Sequence, residues 1–200
     1  LNTILLSFQN RYSTNYVGFK NYATIFSDST MLEVLRNNVL WLILATLLCV
    51  GLGLVIATLT DKVKFEGLAK AAIFTPMAIS FVGASIIWRF VYAYAPANRS
   101  QIGLINALIV WLGGQPVSWL TTTTVDNLAL IVIFVWIWTG FCMVILSASI
   151  KGIPADILEA ARVDGAGSLT IFLRITIPMI TPTITVVITT MVIYILKIFD

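Results

Sequence analysis

Histidine is missing from all 200 residues, and charge is scarce: Lys, Arg, Asp and Glu together make up 10% of the chain, against about 25% in a soluble globular domain. Without imidazole there is no His-ligated metal site and no histidine base, so two common routes to catalysis are closed. No Gly-x-x-x-x-Gly-Lys-Ser/Thr phosphate loop occurs, so the chain cannot hydrolyse ATP by itself. The two cysteines, Cys49 and Cys142, lie inside apolar runs and read as packing residues. What remains is 59% hydrophobic, which makes the membrane the expected solvent. Twelve basic residues against nine acidic ones give a net charge of +3. The basic residues are scattered and flank apolar runs, the pattern of membrane-edge charges and not of a nucleic-acid stripe.

Four uncharged stretches approach the roughly 20 residues a helix needs to cross the hydrocarbon core. They run from Asn37 to Thr60, Ala71 to Trp88, Asn127 to Ile150 and Ile175 to Leu196, bracketed by Arg36 and Asp61, Lys70 and Arg89, Asp126 and Lys151, and Arg174 and Lys197. The predicted spans are therefore about 37–60, 71–89, 127–150 and 175–197, with a loop over 151–174. The fold class is an all-α membrane protein, a polytopic helical bundle. Leu104 to Leu112 is apolar but too short to span, and is expected to be an interfacial or re-entrant helix with Trp111 and Trp119 near the headgroups. Leu1 to Phe8 reads as the last turns of an apolar helix, and Asp200 follows apolar residues without a polar tail. Residues 1–200 are thus expected to form one transmembrane domain, truncated at both ends.

Cytoplasmic loops keep the excess of positive charge. Loops 60–70 and 151–174 carry six Lys and Arg in 35 residues, whereas 9–38 with 89–126 carry five in 68. Both basic loops are assigned to the cytoplasm. Pro76, Pro178 and Pro182 each remove a backbone donor at or near membrane depth, which neighbouring helices or Thr hydroxyls must compensate. Thr181, Thr185 and Thr189 recur at helical spacing, and Gly51, Gly53 and Ala57 narrow another span; both sets read as packing faces. Phe134, Trp138 and Phe141 share one face of the third span, and Tyr194 stands on the next. Aromatic faces of this kind can stack on sugar rings, and in membrane helices they more often face lipid or pack against neighbouring helices.

The loop between the last two spans reads as a helix opened by Pro154, a turn at Gly165 and Gly167, and a second helix capped by Ser168 and running toward Arg174. Ile157, Ala160, Ala161 and Asp164 share a face of the first helix, and Asp156, Glu159 and Arg162 offer charges to a partner. Within it, Glu159-Ala160-Ala161, three residues, Gly165, nine residues and Ile175-Thr176-Ile177-Pro178 resemble the EAA loop of bacterial ABC importer permeases, with Ile177 where that family usually has Leu. Val17-Gly18-Phe19-Lys20-Asn21-Tyr22, and Ile102-Gly103-Leu104-Ile105-Asn106 with Trp119-Leu120, resemble the MalF-like sugar branch, and residues 95–108 resemble α-glucoside systems within it.

That resemblance implies the transmembrane domain of a type I ABC importer in a bacterial inner membrane. It implies a non-enzymatic permease that binds no cofactor itself and works with a second permease in a heterodimer, an ATPase dimer that binds ATP and Mg, and an extracytoplasmic solute-binding protein. The implied cargo is a sugar; the alternatives are an ABC importer permease for a glycerol phosphate, a peptide or another small solute, or, outside the family, a secondary transporter. The absence of ionisable groups inside the spans opposes the last of these. Glu159, Ala160, Ala161, Asp164, Gly165 and Pro178 are the implied ATPase-coupling residues. Phe134, Trp138, Phe141 and Tyr194 are the candidate substrate path.

Overall fold

The computed structural model describes residues 2–61, 63–123 and 125–198. Leu1, Lys62, Thr124, Phe199 and Asp200 lie outside the described residues, so Lys62 in the charge count and the two chain ends receive no structural account. The described residues form helices and no strand, apart from an isolated bridge between Gln9 and Tyr16. Two compact units divide the chain, Leu1–Trp41 and Leu42–Asp200.

The first unit holds α1 (Asn2–Ser7), α2 (Lys20–Ser27) and α3 (Ser29–Leu40). The motif from Val17 to Tyr22 has a local structural purpose here. The Asn21 amide donates to the carbonyls of Ser7 and Gln9, both at 2.8 Å. Phe8 packs among Tyr16, Phe19 and Tyr22 at centroid distances of 5.3–6.1 Å. Asp28 then starts α3 by accepting from the amides of Thr30 and Met31, satisfying donors that a helix start leaves open.

The second unit contains α4 (Thr46–Thr60), α5 (Glu66–Phe74), α6 (Phe81–Val91), α7 (Leu104–Trp111), α8 (Asp126–Lys151), α9 (Ala155–Val163), α10 (Ser168–Ile171) and α11 (Ile177–Leu196). Continuous helical stretches over Ser29–Thr60, Asp126–Lys151 and Ser168–Leu196 are long and apolar enough to cross a membrane. The first contains a π turn at Trp41–Ala45 and the last another at Phe172–Thr176. The second expected span differs from a plain rod. Glu66–Ala78 and Phe81–Val91 meet at 102°, across a 3₁₀ turn at Thr75–Ala78 that contains Pro76 and is followed by an extended Ile79. Pro76 lacks the amide that would carry the α-helical ladder through, and Ser80 restarts the chain by capping Gly83 at 3.1 Å.

Helix α8 is the centre of this unit, packing against α4, α5 and α11. Over half of its most apolar window is buried within the chain, against 22% for the last span. Cys49, Gly53 and Ala57 of α4 are buried, Gly53 directly against Cys142 and Met143 of α8, whereas Gly51 is exposed. A Cβ at Gly140 would lie 2.4 Å from the Ile73 carbonyl and 2.7 Å from the Phe74 Cα. Only hydrogen at that position lets α8 and the α5 backbone touch.

Between α6 and α8, a loop is tied together by Asn106, which is fully buried. Its two amide hydrogens go to the carbonyls of Ala93 (3.0 Å) and Val117 (2.9 Å), and its oxygen accepts from the Val117 amide (2.9 Å) and the Trp119 indole (3.2 Å). All four hydrogen-bonding positions of the amide are filled. Trp119 is half-buried against Tyr92, 5.8 Å between ring centroids, while Trp111 is exposed.

The packing at α5 predicts that Gly140→Leu destabilises the protein by at least about 1–3 kcal/mol, as expected of overpacking, while Gly51→Leu, with nothing within 4 Å of a new Cβ, is nearly neutral. Thermal unfolding of the purified variants in one detergent checks the contrast.

Candidate functional site

Helix α8 ends at Lys151, and the chain turns at Gly152 and a buried Ile153 into α9. Pro154 holds the cap position with ψ 132°, one residue before the first helical turn. At the other end of α9, Gly165 has φ +80°. The Ala166 amide donates to the Ala161 carbonyl (2.9 Å) and the Gly165 amide to the Arg162 carbonyl (3.0 Å). This is a Schellman closure, whose left-handed residue favours glycine for lack of a Cβ. Gly167 has an extended backbone and takes no part in the left-handed turn.

Two expectations for this loop are corrected. Ser168 does not cap the second helix, because Gly167 occupies the cap position and no side chain satisfies the open amides. Nor is that second helix separate: from Ser168 it runs through the π turn into α11. The widened π turn precedes Pro178, which lacks an amide and whose ring crowds the carbonyl four residues back; local rewinding accommodates it. Pro178 therefore lies inside a continuous span near the start of α11, and Pro182 lies further within it. The hydroxyls of Thr181, Thr185 and Thr189 each donate to the carbonyl four residues earlier at 2.8–3.0 Å, so this exposed ladder is satisfied within its own helix.

The structure separates the two alanines of the motif. Ala161 is buried, facing the chain's own interior, and is no part of an outward contact face; Ala160 is exposed. Glu159 and Asp164 are exposed as well and make no ion pair among the described residues. Ile157 is 40% exposed and Val163 88%. The outward surface of α9 thus combines apolar side chains with acids that make no ion pair among the described residues.

The four aromatic residues do come together. Trp138 stacks on Tyr194 at 4.1 Å and 26°, with Phe134 at 6.0 Å and Phe141 at 6.1 Å. Phe134 and Trp138 are buried, whereas Phe141 and Tyr194 are half-buried. Tyr194 occupies a face of Trp138, so Trp138 does not present an open stacking platform. The indole nitrogen of Trp138 is nevertheless buried without an acceptor among the described residues, an arrangement that costs about 1–3 kcal/mol.

A polar cluster that sequence reading missed lies beside the loop. Lys70 of α5 donates to Asp61 Oδ1 and Glu66 Oε1, both at 2.6 Å, and to the Ser147 hydroxyl. Ser147 donates to Asp61 Oδ1 at 2.7 Å, and Lys151 pairs with Glu66. The ends of α4, α5 and α8 are joined in this way, and the two basic loops share one end of the bundle, consistent with their common assignment from charge. In the sequence Asp61, Lys70 and Lys151 are legible only as span-edge charges and Glu66 and Ser147 are not marked out, since Lys70 and Ser147 stand 77 residues apart.

With this geometry in view, comparison with known proteins is specific. Residues 49–200 match the family described as binding-protein-dependent transport system inner membrane component. The osmoprotective compounds uptake permease protein GgtC of Synechocystis is 62% identical over 200 residues, covering all of this chain and 72% of that protein. The alpha-glucoside transport system permease protein AglF of Rhizobium meliloti is 48% identical over 198 residues, covering 99% of this chain and 59% of that protein. A chain from the crystal structure of a bacterial ABC transporter that imports the acidic polysaccharide alginate shares the fold, with a TM-score of 0.76 at 24% identity, over 98% of this chain and 68% of that one.

The aromatic packing predicts that Trp138→Ala lowers stability by about 3–5 kcal/mol through the cavity it leaves. Trp138→Phe should lose far less, since an aromatic ring stays and the unpaired donor goes. Equal losses in thermal unfolding of the two variants would contradict this packing.

Proposed function

The chain belongs to the family of binding-protein-dependent transport system inner membrane components, and from that premise we propose that it is a sugar-importer permease driven through α9 by a separate ATPase. It is a multi-pass inner-membrane protein, and the energy for transport enters from outside the chain. The observation that carries the coupling role is the exposed, acid-bearing face of α9, mounted between the end of α8 and the continuous helix that becomes the last span.

In this reading Glu159 pairs with a basic group on the ATPase, Ala160 lets its surface approach, and Asp164 adds charge beside them. Ala161 and Gly165 serve differently: Ala161 seats the helix on its own bundle and Gly165 forms the bend. Pro178 marks where the loop's motion enters the last span. Closing the ATPase dimer on ATP and Mg moves α9, and the helices it joins exchange between two packed states. A second permease completes the path, and an extracytoplasmic binding protein delivers the solute. The alginate transporter has been seen with an alginate pentasaccharide-bound periplasmic protein, which supports the same arrangement here.

The finer proposal for cargo is a neutral α-glucoside. It is supported by the 48% identity to AglF and by the resemblance over residues 95–108. A second reading, a compact osmoprotective solute, is favoured by the 62% identity to GgtC. Phe141 and Tyr194 are the aromatic positions a passing solute reaches first, with Trp138 behind them as an unpaired donor for a hydroxyl.

Reconstitution with the ATPase, partner permease and binding protein tests both levels. Glu159→Lys should release the ATPase from the membrane, and Gly165→Pro, impossible at φ +80° without rebuilding the turn, should cut uptake per ATP hydrolysed by about tenfold or more. Unchanged assembly and uptake in both would sink the coupling assignment. In a panel of solutes, uptake confined to α-glucosides supports the first cargo reading, and uptake of osmolytes alone supports the second.

A further inference from the structure

The two oxygens of Asp61 are treated differently. Oδ1 accepts from Lys70 and Ser147 at 2.6 and 2.7 Å, whereas Oδ2 is buried without a partner among the described residues. Asp61 also lines a cavity of about 200 Å³ shared with Thr58 of α4, Arg162 of α9, Ser168 of α10 and Thr176 of the π turn. Arg162 makes no ion pair among the described residues. Asp61, with one carboxylate oxygen unsatisfied, and Arg162, with no ion pair among the described residues, thus line the same space between the end of α4 and the loop that carries α9.

We propose that Asp61 is a positioning residue for energy coupling: when α9 moves, the cavity closes and Arg162 engages Asp61 Oδ2, so that a carboxylate held here from one side becomes held from both. The proposal rests on the reading of α9 as the ATPase contact. Its physical basis is a difference between states. Open, the cavity leaves one buried acceptor oxygen without a donor; closed, it supplies a charge-assisted hydrogen bond to that oxygen. A contact made in only one of two states shifts the balance toward that state. Lys70 and Ser147 matter because they hold Asp61 in place from the far side. Glu66, shared between Lys70 and Lys151, ties the same assembly to the last residue of α8, close to the start of α9.

Two measurements on the assembled, reconstituted complex test this. In the first, with Cys49 and Cys142 replaced by Ala, Thr58→Cys and Ser168→Cys are cross-linked across the cavity by a short bifunctional thiol reagent. The rate should rise about fivefold or more from the nucleotide-free to the vanadate-trapped complex; an equal or slower rate overturns the closure. In the second, uptake per ATP hydrolysed is compared for Arg162→Gln, Asp61→Asn and the double variant. Each single change should lower the ratio, and the double should be no worse than the poorer single. Additive losses, or loss of ATPase binding in Arg162→Gln, overturn the pairing. Glu159→Lys separates the two levels. If it leaves the ATPase bound, the coupling reading itself fails; if it releases the ATPase while the cross-link rate ignores nucleotide, only the Asp61–Arg162 pairing fails.

Discussion

In lipid, a helix gains little by hiding leucine from its surroundings, so association depends on how closely backbones approach and on how fully polar groups are satisfied. Helix α8 meets the first demand at Gly140, where α5 passes with no room for a side chain, and against Gly53 of α4. The consequences extend to both ends of the helix. At one end α8 follows the loop organised around Asn106; at the other it carries Lys151, Gly152 and α9. A helix packed this tightly is a suitable mount for a loop that must transmit force, because it gives a load something rigid to act on.

The second demand, polar satisfaction, is met in three ways. Asn106 uses all four of its hydrogen-bonding positions. The threonine ladder on α11 bonds to its own helix. Lys70 gathers two carboxylates and a hydroxyl at the end shared by the basic loops. Five buried side-chain atoms have no hydrogen-bond partner among the described residues, and so stand outside this order: Asn38 Oδ1, Thr46 Oγ1, Trp88 Nε1, the Trp138 indole nitrogen and Asp61 Oδ2. Of these, Trp138 lies among the aromatic residues assigned to the solute path and Asp61 beside the coupling loop, where the proposed function requires contacts to form and break.

The sequence was most legible where a pattern is local. The Schellman turn could be anticipated from Gly165, and the long uncharged stretches from the hydrocarbon thickness a helix must cross. Pro76 foretold a break but not its angle, since a missing amide says where a ladder fails and nothing about which way the chain then turns. The shared face assigned to Ala160 and Ala161 was resolved only by packing: adjacent residues on a helix point about 100° apart, and Ala161 turns inward. The Lys70 cluster was hidden for a related reason. Asp61, Lys70 and Lys151 read singly as span-edge charges, and only the folded chain brings Asp61 to Ser147 across 86 residues. Trp138 showed its spacing in the sequence but not the Tyr194 ring that covers it.

If α9 is the surface on which an ATPase acts, its outward residues touch that partner and its inward ones do not. Site-specific photo-crosslinking in the assembled complex measures this directly, with a photoreactive residue at Ala160, at Ala161 or at Gly114 in the loop before α8. The coupling role predicts an ATPase adduct from position 160, little from 161 and none from 114. An adduct from 114, or none from 160, would contradict it.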